Sequence, residues 1–176
     1  MKLKIYNRYI SYCTDKKLTP FQQVLTYLIT PEERNRLNEE VCRIPFPGND
    51  TKNFNSRLTD EFLRPIVGAY INSISSLVEL NLSFNKLGEN GAFIVSKLLE
   101  GAENIVSFNM MGNLIGDNGS EKLAGSLKGK VNLNYFNLNT NVIGNVGVMS
   151  LNELLFTNPG ITTFDIGKIQ YFIIRK

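Results

Sequence analysis

Two cysteines, a recurring set of asparagines and no histidine make up the reactive inventory of this chain. Without histidine there is no Ser-His-Asp or Cys-His nucleophile, no imidazole base and almost no zinc chemistry. Cys13 and Cys42 cannot form a zinc cage alone, and in a reducing compartment they read as two free, largely buried thiols. Neither a GxxxxGK nor a GxGxxG phosphate loop is present. No catalytic residue, cofactor or metal is therefore expected, and the chain reads as non-enzymatic. The asparagines carry a different message. Asn85, Asn113 and Asn141 recur at an interval of 28 residues. A fixed interval is the mark of a repeated scaffold position, where an amide side chain turned inward can bond backbone groups that would otherwise be buried unpaired.

The elements that hold those asparagines repeat with them. Residues 80–91 read LNLSFNKLGENG, 108–119 read FNMMGNLIGDNG and 136–147 read FNLNTNVIGNVG, and a partial copy, FDIGK, begins at Phe164. Leu77, Leu80, Leu82, Asn85 and Leu87 fill the pattern L-x-x-L-x-L-x-x-N-x-L, which is the leucine-rich repeat signature. Ile105, Phe108, Met110, Asn113 and Ile115 fill it again, as do Leu133, Phe136, Leu138, Asn141 and Ile143. In each copy a short alternating strand precedes a turn. A helix follows, with apolar residues such as Ala92, Val95, Leu98 and Leu99 at helical spacing. Gly88, Gly116 and Gly144 are expected to supply backbone angles that a side chain resists. Gly91, Gly119 and Gly147 are expected to allow close approach of helix and turn.

The predicted fold class is α/β: a right-handed leucine-rich repeat solenoid whose parallel strands stack one per repeat, behind an N-terminal helical cap. Residues 1–48 form the capping segment, 49–168 the array, with one degenerate, three clear and one partial repeat, and 169–176 a divergent apolar tail. Helices are expected after Thr19-Pro20 and after Thr30-Pro31, where a Thr cap precedes Pro at the first helical position. Two prolines in RIPFPG end the helical run near Arg43, and Ile44 and Phe46 suit an irregular strand. Thr59 or Asp60 can cap a helix reaching about Ile71. The tail IQYFIIRK admits three readings: an edge strand over the last repeat, a partner-binding segment, or the point beyond which further repeats follow. The last is adopted, because an uncapped array with an apolar end is poorly soluble.

Residues 77–167 hold five basic and eight acidic side chains, with lysines and arginines gathered near the two ends of the chain, so no basic stripe for nucleic acid is expected. No apolar run reaches the roughly 18–20 residues of a spanning helix, and no membrane partner is expected. The start MKLKIYNRYISYC lacks an apolar signal core, which suggests the cytoplasm or nucleus.

The array resembles the ribonuclease-inhibitor-like class of leucine-rich repeats. Taken with PGNDTKNFNSRLTDEFLRPIV, LVELNLSFNKLGENGA, Tyr12-Cys13 and Leu18-Thr19-Pro20, it resembles more closely the family of leucine-rich repeat-containing protein 34. That resemblance implies a non-enzymatic interaction protein of the nucleus or nucleolus, associated with stem and germ cells, and, through other members of the class, association with cilia. It is similar also to a Ran-type GTPase-activating protein, a reading that the short array and the lack of an acidic tail disfavour.

The expected function is binding of a protein partner through the concave face, with a structural place in a ciliary or other large assembly as the alternative. Alternation along each strand turns three rows outward. Glu79, Ser107, Tyr135 and Thr163 form one, Asn81, Asn109, Asn137 and Asp165 the next, and Ser83, Met111 and Asn139 the third. Tyr135 and Met111 are the candidate anchors.

Overall fold

The computed structural model describes residues 2–29, 42–48 and 57–167. Helix α1 (Lys2–Asp15) and helix α2 (Gln22–Ile29) precede strand β1 (Cys42–Pro45). Helix α3 (Asp60–Tyr70) and a 3-10 run (Ile71–Ser76) lead into β2 (Leu77–Asn81), α4 (Glu89–Glu100), β3 (Ser107–Asn109), α5 (Asp117–Leu127), β4 (Tyr135–Asn137), α6 (Asn145–Thr157) and β5 (Thr163–Asp165). The second Thr-Pro device, the linker preceding Arg57 and the IQYFIIRK tail lie outside the described residues.

The five strands form one parallel sheet in sequence order. The β1–β2 register shifts between Cys42 and Arg43, and from β2 to β5 it repeats without slip: Leu80 faces Phe108, Phe108 faces Phe136, and Phe136 faces Phe164. Backbone hydrogen bonds carry the ladder beyond the strand ends, as from Leu82 N–H to Asn109 O (2.8 Å), Met110 N–H to Asn137 O (2.9 Å) and Leu138 N–H to Asp165 O (2.8 Å).

The core lies between this sheet and the row of helices. Leu80, Phe108 and Phe136 are fully buried, and the phenylalanines stack at 5.5 Å and 5.0 Å along Phe108, Phe136 and Phe164. In the helices, Val95, Leu123 and Leu151 fill one buried column, and Leu99 and Leu127 another. At the final unit the columns open: Phe164, Ile161 and Ile166 are only partly buried. One repeat cannot cover its own apolar face, so each relies on the next.

The sequence reading carries the first helical run to about Arg43, and the structure departs from it. Cys42 and Arg43 are strand residues, and β1 pairs with β2 through Ile44 and Leu80. That unit is 36 residues long where the later ones are 28, so β1 is the strand belonging to α3. Its turn is supported by the same device as the others, since Leu58 N–H reaches Asn85 Oδ1 at 2.8 Å. Around β1, α1 buries Ile5, Tyr9 and Cys13, and α2 buries Val24 and Leu28. Tyr9 Oη accepts the Phe21 N–H at 2.7 Å, and Gln23 Nε2 donates to Pro47 O at 2.6 Å. Both cysteines are buried free thiols. Burial pushes Cys42 up to about 11 and Tyr9 up to about 12, the Tyr9 shift being opposed by the bond from Phe21.

Candidate functional site

The concave face is made by alternate residues of five short strands. Strand pairing puts Glu79, Ser107, Tyr135 and Thr163 in one row, and Asn81, Asn109, Asn137 and Asp165 in the next. Arg43 and Pro45 extend these rows onto β1. Arg43 lies 3.5 Å from Glu79, both about two-fifths exposed, so the one cation in these rows faces a carboxylate. Glu79, Ser107, Asn109, Met111, Tyr135 and Asn139 are half-buried, and Thr163 is exposed.

Two positions of the face depart from the sequence reading, which has them open. Ser83 and Asn137 are only 4% and 6% exposed. Ser83 is drawn down by bonds from its N–H (3.1 Å) and hydroxyl (2.8 Å) to Asn81 Oδ1, while its carbonyl accepts Gly48 N–H. Asn137 lies under Tyr135, donating from Nδ2 to the phenol oxygen at 3.1 Å.

The second row also has an internal duty that the alternation rule does not show. Asn81 Oδ1 accepts Ser83 N–H (3.1 Å), Asn109 Oδ1 accepts Met111 N–H (3.0 Å), Asn137 Oδ1 accepts Asn139 N–H (2.9 Å) and Asp165 Oδ1 accepts Gly167 N–H (3.0 Å). Each is an Asx turn that closes the end of a strand. The available signal is an Asx residue two positions before the turn in every copy.

Beneath the face run Asn85, Asn113 and Asn141. Asn113 Oδ1 accepts Leu87 N–H at 3.1 Å, and its Nδ2 donates to Leu82 O and Met110 O, both at 2.9 Å. Asn141 repeats this one unit on, from Ile115 N–H to Met110 O and Leu138 O. Leu82 O and Met110 O are thus each held by two asparagines of successive units. Among the described residues no buried side-chain nitrogen or oxygen lacks a partner.

A family model described as leucine-rich repeat matches residues 73–93 and 130–151. A solved structure of leiomodin-1 actin-binding site 2 is similar over 82% of each chain, with a TM-score of 0.58 and 17% identity. At that identity the likeness shows the fold. No curated protein matches the chain.

The chain is an α/β leucine-rich repeat solenoid.

Arrays of this kind generally serve as protein-interaction surfaces. The solenoid's helix side has features of its own. A shallow groove of about 280 Å³ between α5 and α6 is lined by Glu121, Lys128, Ser150 and Glu153. The Lys128–Glu153 pair, 2.6 Å apart, holds the Glu153 carboxyl below its usual range. On α6, Val146, Met149 and Phe156 are exposed. Among the described residues, no group of three or more metal-ligating side chains stands together, and no helix is long and apolar enough to cross a membrane.

The first glycine of each turn works otherwise than expected. Gly88, Gly116 and Gly144 have φ near −100° in extended backbone that any residue adopts. What is special is the carboxylate beside them. Asp60 Oδ1 accepts Gly88 N–H at 3.1 Å, and Asp117 Oδ1 accepts both Gly144 N–H (2.6 Å) and Gly147 N–H (3.1 Å). The first-turn acid of one helix therefore caps the next helix, where no local side chain does so. Left-handed backbone falls four residues earlier, at Phe84, Gly112 and Thr140, with φ of 54°, 68° and 57°. Gly91, Gly119 and Gly147 allow the expected close approach of helix and turn: an added Cβ would stand 3.0 Å from Leu87 Cβ, 2.9 Å from Ile115 Cγ2 and 2.7 Å from Ile143 Cγ2, and at Gly119 also 2.9 Å from Ala92 Cβ of the preceding helix.

Proposed function

We propose that this solenoid is a non-enzymatic protein-binding module that engages its partner through the concave face. The observation that carries the reading is the in-register row Glu79, Ser107, Tyr135 and Thr163 beside the row Asn81, Asn109 and Asn137. Side chains so aligned form one continuous strip, with Tyr135 half-buried at its centre and Met111 beside the Asn109 position. A rigid aromatic anchor flanked by polar groups is the common form of an interaction hot spot. The resemblance to leucine-rich repeat-containing protein 34 supports the same non-enzymatic assignment. The absence of histidine argues in the same direction.

The test compares capture from cell extract by the wild-type chain, by Tyr135→Ala with Asn109→Arg, and by Glu121→Arg with Ser150→Arg on the helix side. Retained proteins should be lost with the first variant and kept with the second. Equal capture by all three chains overturns the reading. Co-sedimentation with actin filaments checks the partner that the name of the leiomodin-1 site suggests. Co-fractionation with large insoluble assemblies, as against soluble extract, separates a structural subunit from a reversible binder.

A further inference from the structure

The Asx turns fix the polarity of the concave face. A backbone N–H can be met only by an acceptor, so the bonds from Ser83 and Met111 require the oxygens of Asn81 and Asn109 to face their own turns. The amide nitrogen is then the remaining hydrogen-bonding end of each side chain. Among the described residues none accepts a bond from Nδ2 of Asn81 or Asn109. Tyr135 shows the same sense: its oxygen accepts from Asn137 Nδ2, which leaves the hydroxyl hydrogen to donate.

The carboxylates of the face are partly engaged. Glu79 Oε2 lies 3.5 Å from Arg43 Nε, and the two oxygens of Asp165 accept from Gly167 N–H and from Asn139 Nδ2, each at 3.0 Å. On the strip, the amides of Asn81 and Asn109 and the Tyr135 hydroxyl are open donors. Its charged groups also sort partners. Glu79 and Asp165 stand toward opposite ends of the strip and repel carboxylates and phosphates, while the only cation among the described residues of these rows, Arg43, is held by Glu79. With two carboxylates to one cation, these described rows disfavour acidic segments.

We infer that the concave face takes a non-acidic, extended polypeptide segment, whose backbone carbonyls meet the amides of Asn81 and Asn109 and the hydroxyls of Ser107 and Tyr135. From Asn81 across to Asn137 is two inter-strand steps, roughly 10 Å. About three residues of extended chain cover that distance. Met111 and Tyr135 supply the apolar contact, and the amides set the direction of the hydrogen bonds. This inference rests on the concave-face reading above.

One substitution isolates the donor. Asp165 occupies the Asn109 column and makes the same turn bond to Gly167 N–H, so aspartate is compatible with the slot. Asn109→Asp keeps the acceptor for Met111 N–H and exchanges the outward donor for an acceptor. The probe is a displayed library of random linear peptides selected on the wild-type chain, with the enriched peptides measured by fluorescence anisotropy. Enriched cores should lack acidic residues. Asn109→Asp should weaken them about tenfold or more at unchanged circular dichroism and melting, and Tyr135→Ala should weaken them too. Binding lost with Tyr135→Ala but unchanged with Asn109→Asp would leave the concave site standing and overturn its donor character. Enrichment of acidic cores would overturn it as well. If neither substitution matters, the concave face is not the binding surface and both readings fall.

Discussion

Replacing Asn113 with alanine tests the physical basis of the array. The side chain is 4% exposed and makes its bonds entirely to backbone. Its two closest carbonyl partners do not become orphans, because Leu82 O is also held by Asn85 Nδ2 (3.0 Å) and Met110 O by Asn141 Nδ2 (3.0 Å), and the third, Met111 O at 3.3 Å, also accepts Phe84 N–H at 2.7 Å. The Leu87 N–H does lose its acceptor. An unsatisfied buried donor costs about 1–3 kcal/mol, and two further bonds lost from shared carbonyls add about 0.5–1 kcal/mol each. The expected total is roughly 2–5 kcal/mol, a large part of the stability of an ordinary domain. In urea, with a slope of about 2 kcal/mol/M, the midpoint should fall by roughly 1–2.5 M. Asn109→Ala is the matched control, since it removes one turn bond at a half-buried site and should cost about 0.5–1.5 kcal/mol. Equal midpoints for Asn113→Ala and Asn109→Ala would refute the reasoning, because burial and bond sharing would then have no weight.

Other outcomes follow from the same geometry. Asp117→Ala strips the carboxylate from two N–H groups at the start of α6 and should cost about 1–2 kcal/mol, seen as faster amide exchange at Gly144 and Gly147. Thr140→Gly relieves a β-branched residue at φ 57° and should raise the melting point, by roughly 0.5–1 kcal/mol of stability; a lower melting point contradicts the strain. The Cys42 thiol ionises near its ordinary 9.0 when unfolded and near 11 when folded, so between those values the unfolded state holds fewer protons. Stability should therefore fall as pH rises from about 9 to 11, by about 2–3 kcal/mol from this group, and Cys42→Ala should flatten the decline in alkaline denaturation curves.

Much of the fold is legible from one period. Leu80, Phe108, Phe136 and Phe164 recur at 28 residues and lie in one register across the sheet, so the pattern that places them in sequence also places them in space. Strand β1 is not legible that way, because its unit is longer and Ile44 stands 36 residues before its partner Leu80. The rows of the concave face follow from alternation, but alternation is blind to hydrogen bonding. It cannot show that Ser83 folds back onto Asn81 or that Tyr135 covers Asn137. Inter-repeat capping by Asp60 and Asp117 is hidden for a related reason. Each carboxylate stands in the first turn of its own helix yet serves a glycine one repeat later.

The most direct test of the concave-face account is an amide and side-chain NMR titration of the intact chain with a peptide selected on it. The account predicts that the largest shifts fall on Asn81, Ser107, Asn109, Met111 and Tyr135, including the Nδ2 resonances of the two asparagines. Shifts centred on Glu121, Lys128, Met149 and Phe156, with the strand residues silent, would contradict it.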